Sequence, residues 1–318
     1  MGKPNFLILR GGAIGDFVMT LPALEALRKR WPECRIEVLG YPHIASLALA
    51  GGLADSVRSL DRASVARLFV PEQPLPAAMA FELRQFDVVV NYLYDPDDSV
   101  SKSLVQAGVS QVLAVSPRMD TEPAARRLMK PLEALAVYPE GEPYPRLNLK
   151  PGAVEKGRER LAARGGRAFA IHPGSGSGRK NWPLAGFLAV AERLKAAGCE
   201  PVFSFGEADT ETEQAYRKAG APYPVLPAMD LTGLAGALAC CRGYAGNDSG
   251  ITHLAAATGI PVTAVFGPSD PAVWASRAPR VRVVKSALPT PESLAALPVD
   301  AVWRAVAEGL QPFEGRTE

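Results

Sequence analysis

Leu7-Ile8-Leu9-Arg10-Gly11-Gly12-Ala13-Ile14-Gly15-Asp16 stands at one end of the chain, and Gly246-Asn247-Asp248-Ser249-Gly250-Ile251-Thr252-His253 stands towards the other. Each is a short apolar run, a Gly-rich turn holding one Asp, and then an amphipathic stretch. That order specifies a strand feeding a helix through a loop whose backbone can approach a ligand closely. Two such units in separate halves predict two nucleotide-fold domains facing one cleft.

Outward from these stretches, the N-terminal half alternates strands and helices. Phe6–Leu9, Arg35–Leu39, Asp87–Asn91 and Gln111–Val115 read as strands, and Leu21, Leu24 and Leu27 recur at helical spacing. Apolar runs of this length suit a parallel sheet covered on both faces. Pro22 conflicts with a helix running straight on from Asp16, because a Pro inside a helix costs about 3 kcal/mol. Thr20 as N-cap, with Pro22 in the first turn, removes the conflict and leaves Asp16 on a separate short turn at the mouth of the sheet. Between Leu135 and Gly152 the chain changes character, and Tyr138-Pro139-Glu140-Gly141-Glu142-Pro143-Tyr144-Pro145 reads as a linker without regular structure. The pattern then restarts with a strand at Phe169–His172, a loop at Pro173–Arg179, and a helix carrying Phe187, Val190, Ala191 and Leu194 on one face. Strands at Pro201–Phe205, Gly243–Ala245 and Val262–Phe266 follow. The expectation is an α/β chain of two Rossmann-like, doubly wound parallel-sheet domains, 1–150 and 151–318, with a last helix near Ala301–Leu310 that could return to the first.

A length of 318 residues is enough for two domains with full cores. The net charge of +2 is spread along the chain, apart from Arg126-Arg127-Lys130, and gives no global field for nucleic acid. Cys34, Cys199, Cys240 and Cys241 form no C-x-x-C pair and read as core-filling thiols in a reducing cytoplasm. Met1-Gly2-Lys3-Pro4 runs straight into a strand without the apolar leader of a signal peptide. No run of about 18 apolar residues exists to span a membrane. The expected place is the cytoplasm, with peripheral attachment at the inner face of the plasma membrane left open.

The first Gly-rich loop is not the dinucleotide fingerprint. Arg10 stands where the first Gly should be, and the second strand ends Leu39-Gly40-Tyr41, without the acidic residue that holds a ribose. Pro173-Gly174-Ser175-Gly176-Ser177-Gly178-Arg179-Lys180 is not a Walker loop either, since Arg179 separates the last Gly from Lys180 and Asn181 follows it. Its physics still suits a phosphate or diphosphate: glycines let amides turn inward, Ser175 and Ser177 can donate, and Lys180 brings a cation. The alternative is a flexible exposed loop. Gly246–Gly250 is no nucleophile elbow, because Asp248 holds the middle position. The helix that follows points its positive end at the turn and suits an anion, unless Asp248 or Ser249 merely caps it. His253, His43 and His172 have no metal-ligand spacing. Asp95-Pro96-Asp97-Asp98 resembles the Asp-x-Asp of metal-dependent sugar transferases and equally a solvated turn. Asp16 is the sharpest candidate: a carboxylate at a strand end can take a proton from an incoming hydroxyl, the alternative being a cap for the first helical turn.

In this order the motifs resemble glycosyltransferase family 9, the bacterial heptosyltransferases of lipopolysaccharide core synthesis. Ile8-Leu9-Arg10, Ile14-Gly15-Asp16, Thr20-Leu21-Pro22-Ala23-Leu24 and Leu27-Arg28 are similar to the family's opening signature. His172-Pro173-Gly174-Ser175, with Lys180-Asn181-Trp182-Pro183, resembles its donor loop. Asp230-Leu231-Thr232-Gly233, Asn247-Asp248-Ser249-Gly250, His253–Ala257 and Phe266-Gly267-Pro268-Ser269-Asp270-Pro271 resemble its later blocks. The resemblance implies a GT-B architecture and an inverting transfer from a nucleotide sugar, with no cofactor and no obligatory metal. It makes Asp16 the base, on an acceptor-side loop with Gly12 and Gly15. It places Gly174, Ser175, Lys180, Asp248, Ser249, Gly250 and His253 at the donor, with Glu211 near the ribose. The segment Arg118–Lys130 departs from the family pattern on the acceptor side. The expected partners are ADP-heptose as donor and a lipid-linked core saccharide as acceptor. A nucleotide-sugar epimerase, a non-enzymatic nucleotide-binding module and a dehydrogenase are the competing classes.

Overall fold

The computed structural model describes residues 3–62, 65–70, 73–115, 121–220 and 223–311. They divide into two compact units, Met1–Asn148 and Leu149–Glu318.

The first unit runs β1 (Asn5–Arg10), α1 (Ile14–Val18), α2 (Leu21–Arg30), β2 (Arg35–Gly40), α3 (Pro42–Ala50), β3 (Ser56–Ser59), α4 (Ala77–Leu83), β4 (Val88–Asn91), α5 (Ser99–Gln106), β5 (Val112–Ala114) and α6 (Ala124–Met129). Its sheet is parallel, in the order β3-β2-β1-β4-β5. Strand order reverses between β1 and β4, so the loops leaving them diverge at the carboxyl edge, where doubly wound sheets take their ligands. Leu7, Leu9, Leu39, Val89, Val100 and Leu104 share one core, while Phe6 and Ile8 are buried too. Burial of alternate residues on both sides of β1 is what makes its sequence a continuous apolar run.

The second unit runs α7 (Pro151–Arg160), β6 (Ala168–His172), α8 (Leu184–Ala196), β7 (Glu200–Phe203), α9 (Thr210–Lys218), α10 (Leu231–Ala239), β8 (Tyr244–Asn247), α11 (Gly250–Ala257), β9 (Val262–Phe266), α12 (Pro271–Trp274), β10 (Val281–Lys285), α13 (Pro291–Ala295) and α14 (Val299–Leu310). The sheet is again parallel, in the order β10-β9-β8-β6-β7. A parallel bridge from Phe203 to Val225 adds a rudimentary strand beyond β7. With that bridge both switch points have the same form, the second lying between β6 and β8. The last helix packs on α8, β9 and β10 of its own unit. Val302 and Val306 sit in that unit's core, so its apolar face is used there.

Two strands escaped the sequence reading, β3 and β10. Both lie at sheet edges, and their residues are half-buried or exposed. An edge strand with one wet side keeps Ser, Arg and Lys, which weakens the apolar signal. Thr20 does precede α2, with Pro22 in its first turn, but its hydroxyl caps nothing. It donates backward to the Asp16 carbonyl, 2.9 Å away. Among the described residues no helix is long and apolar enough to cross a membrane.

Candidate functional site

In the first unit, β1 ends at Arg10 and the chain turns through Gly11 and Gly12 into α1. Gly12 holds φ at +90°, and a Cβ there would meet Asp16 Oδ2 at 2.8 Å. Only glycine fits both demands. Asp16 Oδ2 accepts the Ala13 amide at 3.0 Å, so the capping role is real. Its Oδ1 lies 3.5 Å from Arg10 Nη2, and 39% of the side chain remains exposed. The carboxylate therefore keeps an open face at the switch point, beside half-buried Gly15.

In the second unit, the loops leaving β6 and β8 are tied together by three contacts. Lys180 Nζ lies 2.9 Å from Asp248 Oδ2. The Trp182 amide donates to Asn247 Oδ1 at 2.9 Å, and Asn247 Nδ2 donates to the Pro173 carbonyl at 2.8 Å. His253 Nε2 approaches Asp248 Oδ1 at 3.7 Å from α11. Burial alone would raise the Asp248 carboxyl, but the neighbouring His253, Ser269 and Lys180 side chains outweigh it and hold the group well below the usual carboxylate range. Asp248 is thus an anion within a buried polar cluster, and Lys180 is a paired cation with 38% of its side chain exposed. Ser249 caps α11, accepting the Thr252 amide at 3.2 Å. Half-buried Gly250 begins the helix, and the positive end of that helix faces the same loops.

Ser175 Oγ lies 2.8 Å from the Ser177 carbonyl oxygen and 2.6 Å from Asn181 Oδ1, with its one proton to share between them, so this hydroxyl organises its own loop. Glu211 stands exposed on the first turn of α9. Its neighbour Thr212 accepts a 3.4 Å hydrogen bond from Asn181, which brings that turn to the end of the Lys180 loop.

Of the Asp95–Asp98 stretch, Pro96, Asp97 and Asp98 are exposed around a turn, whereas Asp95 is folded inward and is not free to hold a metal. It is 8% exposed and accepts the Val100 and Ser101 amides at 3.0 and 2.9 Å, the Ser101 hydroxyl at 2.8 Å and Asn91 Nδ2 at 3.1 Å. It anchors the start of α5. Among the described residues no group of three or more His, Cys, Asp and Glu side chains could hold a metal ion. Of the Arg118–Lys130 segment, residues 118–120 lie outside the described residues.

Sequence reasoning missed Asp209 and Arg10. Asp209 is 5% exposed, accepts the Gly206 amide at 2.7 Å, and lies 3.4 Å from His172 Nε2. A Cβ on Gly174 would fall 1.8 Å from Asp209 Oδ1, so Gly174 is glycine because the backbone passes directly over this carboxylate. The available signal was Gly206-x-x-Asp209 after a strand, the spacing of a turn that caps itself. His172 Nδ1 faces the Ser204 carbonyl at 2.9 Å. Burial holds the His172 ring below its ordinary value, against the pull of the Asp209 charge. The unfolded ring takes up a proton near pH 6.5 that the folded one refuses, so stability is present above that value and falls as pH drops through it. Urea titrations at about pH 7.5 and about pH 5.5 should show wild type losing more than His172→Gln, by up to about 1.4 kcal/mol per pH unit. Equal losses would show that the ring titrates normally.

A family model described as glycosyltransferase family 9 (heptosyltransferase) matches residues 101–296. Lipopolysaccharide heptosyltransferase 1 of Pseudomonas aeruginosa is 38% identical over 94 residues, 29% of this chain and 26% of that protein. The matched stretch thus spans about a quarter of the length of that relative. In solved structures, the glycosyl transferase family 9 protein of Veillonella parvula superposes with a TM-score of 0.80 at 21% identity, covering 96% of this chain and 97% of that one. Escherichia coli ADP-heptose lipopolysaccharide heptosyltransferase II superposes with a TM-score of 0.79 at 17% identity, covering 96% and 98%. At such identities the likeness shows the fold, two Rossmann-like units of the GT-B class. The order of motifs, the paired switch-point loops and the family match agree: the chain belongs to glycosyltransferase family 9 (heptosyltransferase).

Proposed function

We propose that this chain is an inverting glycosyltransferase that moves heptose from ADP-heptose to a lipid-linked core saccharide. The observation that carries the reading is the Lys180–Asp248–His253 cluster, which gathers a cation and a helix N-terminus at the switch point of the second unit. Solved structures of Escherichia coli heptosyltransferase WaaC with ADP and with ADP-2-deoxy-2-fluoro heptose support ADP-heptose as the donor class.

The reaction asks for alignment, removal of one proton and stabilisation of a departing diphosphate. In this reading Asp16 accepts the proton of the attacking hydroxyl. Lys180 and the first amides of α11 receive the charge that gathers on the leaving diphosphate. Asp248 tethers Lys180 until the donor arrives, and His253 holds Asp248. Gly174 and Ser175 shape the loop, and Glu211 serves the ribose. The second unit takes the nucleotide sugar and the first takes the acceptor. The reaction is placed in the cytoplasm, with peripheral contact at the membrane that presents the acceptor.

A thermal-shift comparison of ADP, GDP, UDP and CDP tests the donor. ADP at about a hundredfold excess over Kd should add about 2.7 kcal/mol of stability, and the others much less. Lys180→Ala should weaken ADP binding by about 10- to 100-fold, the loss of one charge-assisted contact of about 1.5–3 kcal/mol. Unchanged ADP affinity in a calorimeter would remove Lys180 from the diphosphate. Stabilisation by another nucleotide alone would change the donor. Sugar release or epimerisation without an acceptor would favour an enzyme acting on the donor only.

A further inference from the structure

The backbone carbonyl of Asp16 lies where α1 gives out. The amide four residues on, that of Thr20, donates to Phe17 O at 2.9 Å instead. Side-chain donors take its place: Arg10 Nη2 at 2.7 Å, Arg10 Nε at 3.2 Å and Thr20 Oγ1 at 2.9 Å. The remaining arm of the fork, Arg10 Nη1, donates to the Tyr92 carbonyl at 2.9 Å, just past β4. Tyr92 is itself buried, its hydroxyl on Leu128 O of α6 at 2.8 Å. One guanidinium therefore joins the ends of β1 and β4 to the turn that carries Asp16.

We propose that Arg10 is the positioning residue of this site: its fork locks α1 against the ends of β1 and β4, so that the Asp16 carboxylate is held in one orientation for the acceptor hydroxyl. The inference rests on Asp16 acting as the base. Only 12% of the Arg10 side chain is exposed, which gives the fork little room to move. Burial disfavours the guanidinium charge and Asp16 partly restores it, with Tyr92 and Arg127 the other ionisable groups that act on it. A buried cation that is kept despite this cost, with every arm aimed at one helix or its neighbouring strand end, fits a group that fixes geometry. Lysine would keep the charge and lose the fork.

The test uses the full chain in four forms: Arg10→Met, Arg10→Lys, Asp16→Asn and the double variant Arg10→Met/Asp16→Asn. Turnover is read with ADP-heptose and heptose-free lipopolysaccharide, and ADP affinity by calorimetry. Arg10→Met should lower kcat by about 100-fold, the effect of a misplaced reacting group, with ADP affinity unchanged and Arg10→Lys intermediate. In the Asp16→Asn background the same substitution should cost nothing further, because Arg10 acts through Asp16. A merely structural arginine would cost the same factor in both backgrounds, and that additivity would overturn the proposal. Wild-type turnover in Asp16→Asn would instead overturn the base reading itself. Amide hydrogen exchange gives a second measure that needs no substrate: Arg10→Met should speed exchange over residues 15–20 by about tenfold and spare the second unit. Unchanged exchange there would also overturn the proposal.

Discussion

Replacing Asp16 by Ala should lower turnover by about 10²–10⁴-fold, the usual worth of a general base, and should leave ADP affinity where it was. The carboxylate stands on the first unit's sheet edge, whereas the Lys180–Asp248–His253 cluster belongs to the second unit's loops. The variant also loses the hydrogen bond that Ala13 donates to Oδ2, a cost of about 1 kcal/mol that a folded unit tolerates. Asp16→Asn separates the two effects. It keeps the shape of the side chain but has no proton-accepting carboxylate, so it should be as slow as Asp16→Ala while melting closer to wild type. Steady-state rates with ADP-heptose and heptose-free lipopolysaccharide, set beside calorimetry with ADP, decide the matter. Near-normal turnover in Asp16→Asn would leave Asp16 as a cap and nothing more.

Gly157→Ala and Gly236→Ala should each lower stability by about 3 kcal/mol, at the upper end of the range for overpacking a tight contact. Helices α7 and α10 cross with these two glycines against one another. A Cβ on Gly157 would fall 2.1 Å from the Gly236 carbonyl oxygen, and a Cβ on Gly236 would fall 2.2 Å from the Ala153 carbonyl oxygen. The opposing atoms are backbone, which cannot swing aside as a side chain does, so the helices must separate. In a unit of this size the loss corresponds to about 6–12 °C in Tm. Gly152 provides the control: it lies on the same helix, a Cβ there meets nothing within 4 Å, and Gly152→Ala should leave the melt within about 0.5 kcal/mol. Equal melts for all three variants would mean that the crossing is looser than its geometry.

The parallel sheets were legible because their central strands are buried on both faces, and Phe6–Leu9 or Val262–Phe266 can hardly be anything else. The positions of Asp16 and Asp248 were legible because each follows an apolar strand closely, Asp248 directly after β8 and Asp16 in the first turn of α1 past β1, places where a carboxylate is conspicuous. Asp209 was not. Its importance comes from Gly174, 35 positions earlier in sequence, passing over it, and no local pattern carries that meeting. Sequence leaves Asp95 open between a metal motif and a solvated turn, because two acids around a Pro suit either, and the deciding fact is where the first amides of α5 point. The glycine crossing of α7 and α10 was invisible for the same reason: Gly157 and Gly236 look like ordinary helix interruptions until the helices are laid together.

The rudimentary strand beside β7 has a consequence for how this protein meets its own copies. Pro224 and Pro227 bracket it, and neither has an N–H to offer. Leu226 N already donates inward to Phe203 O at 2.8 Å. Between the two prolines only the Val225 amide remains for any strand arriving from outside, too little to template a new ladder. Crowded copies therefore find no foothold at this margin for edge-to-edge growth, and an aggregate seeded through native sheets would have to begin elsewhere.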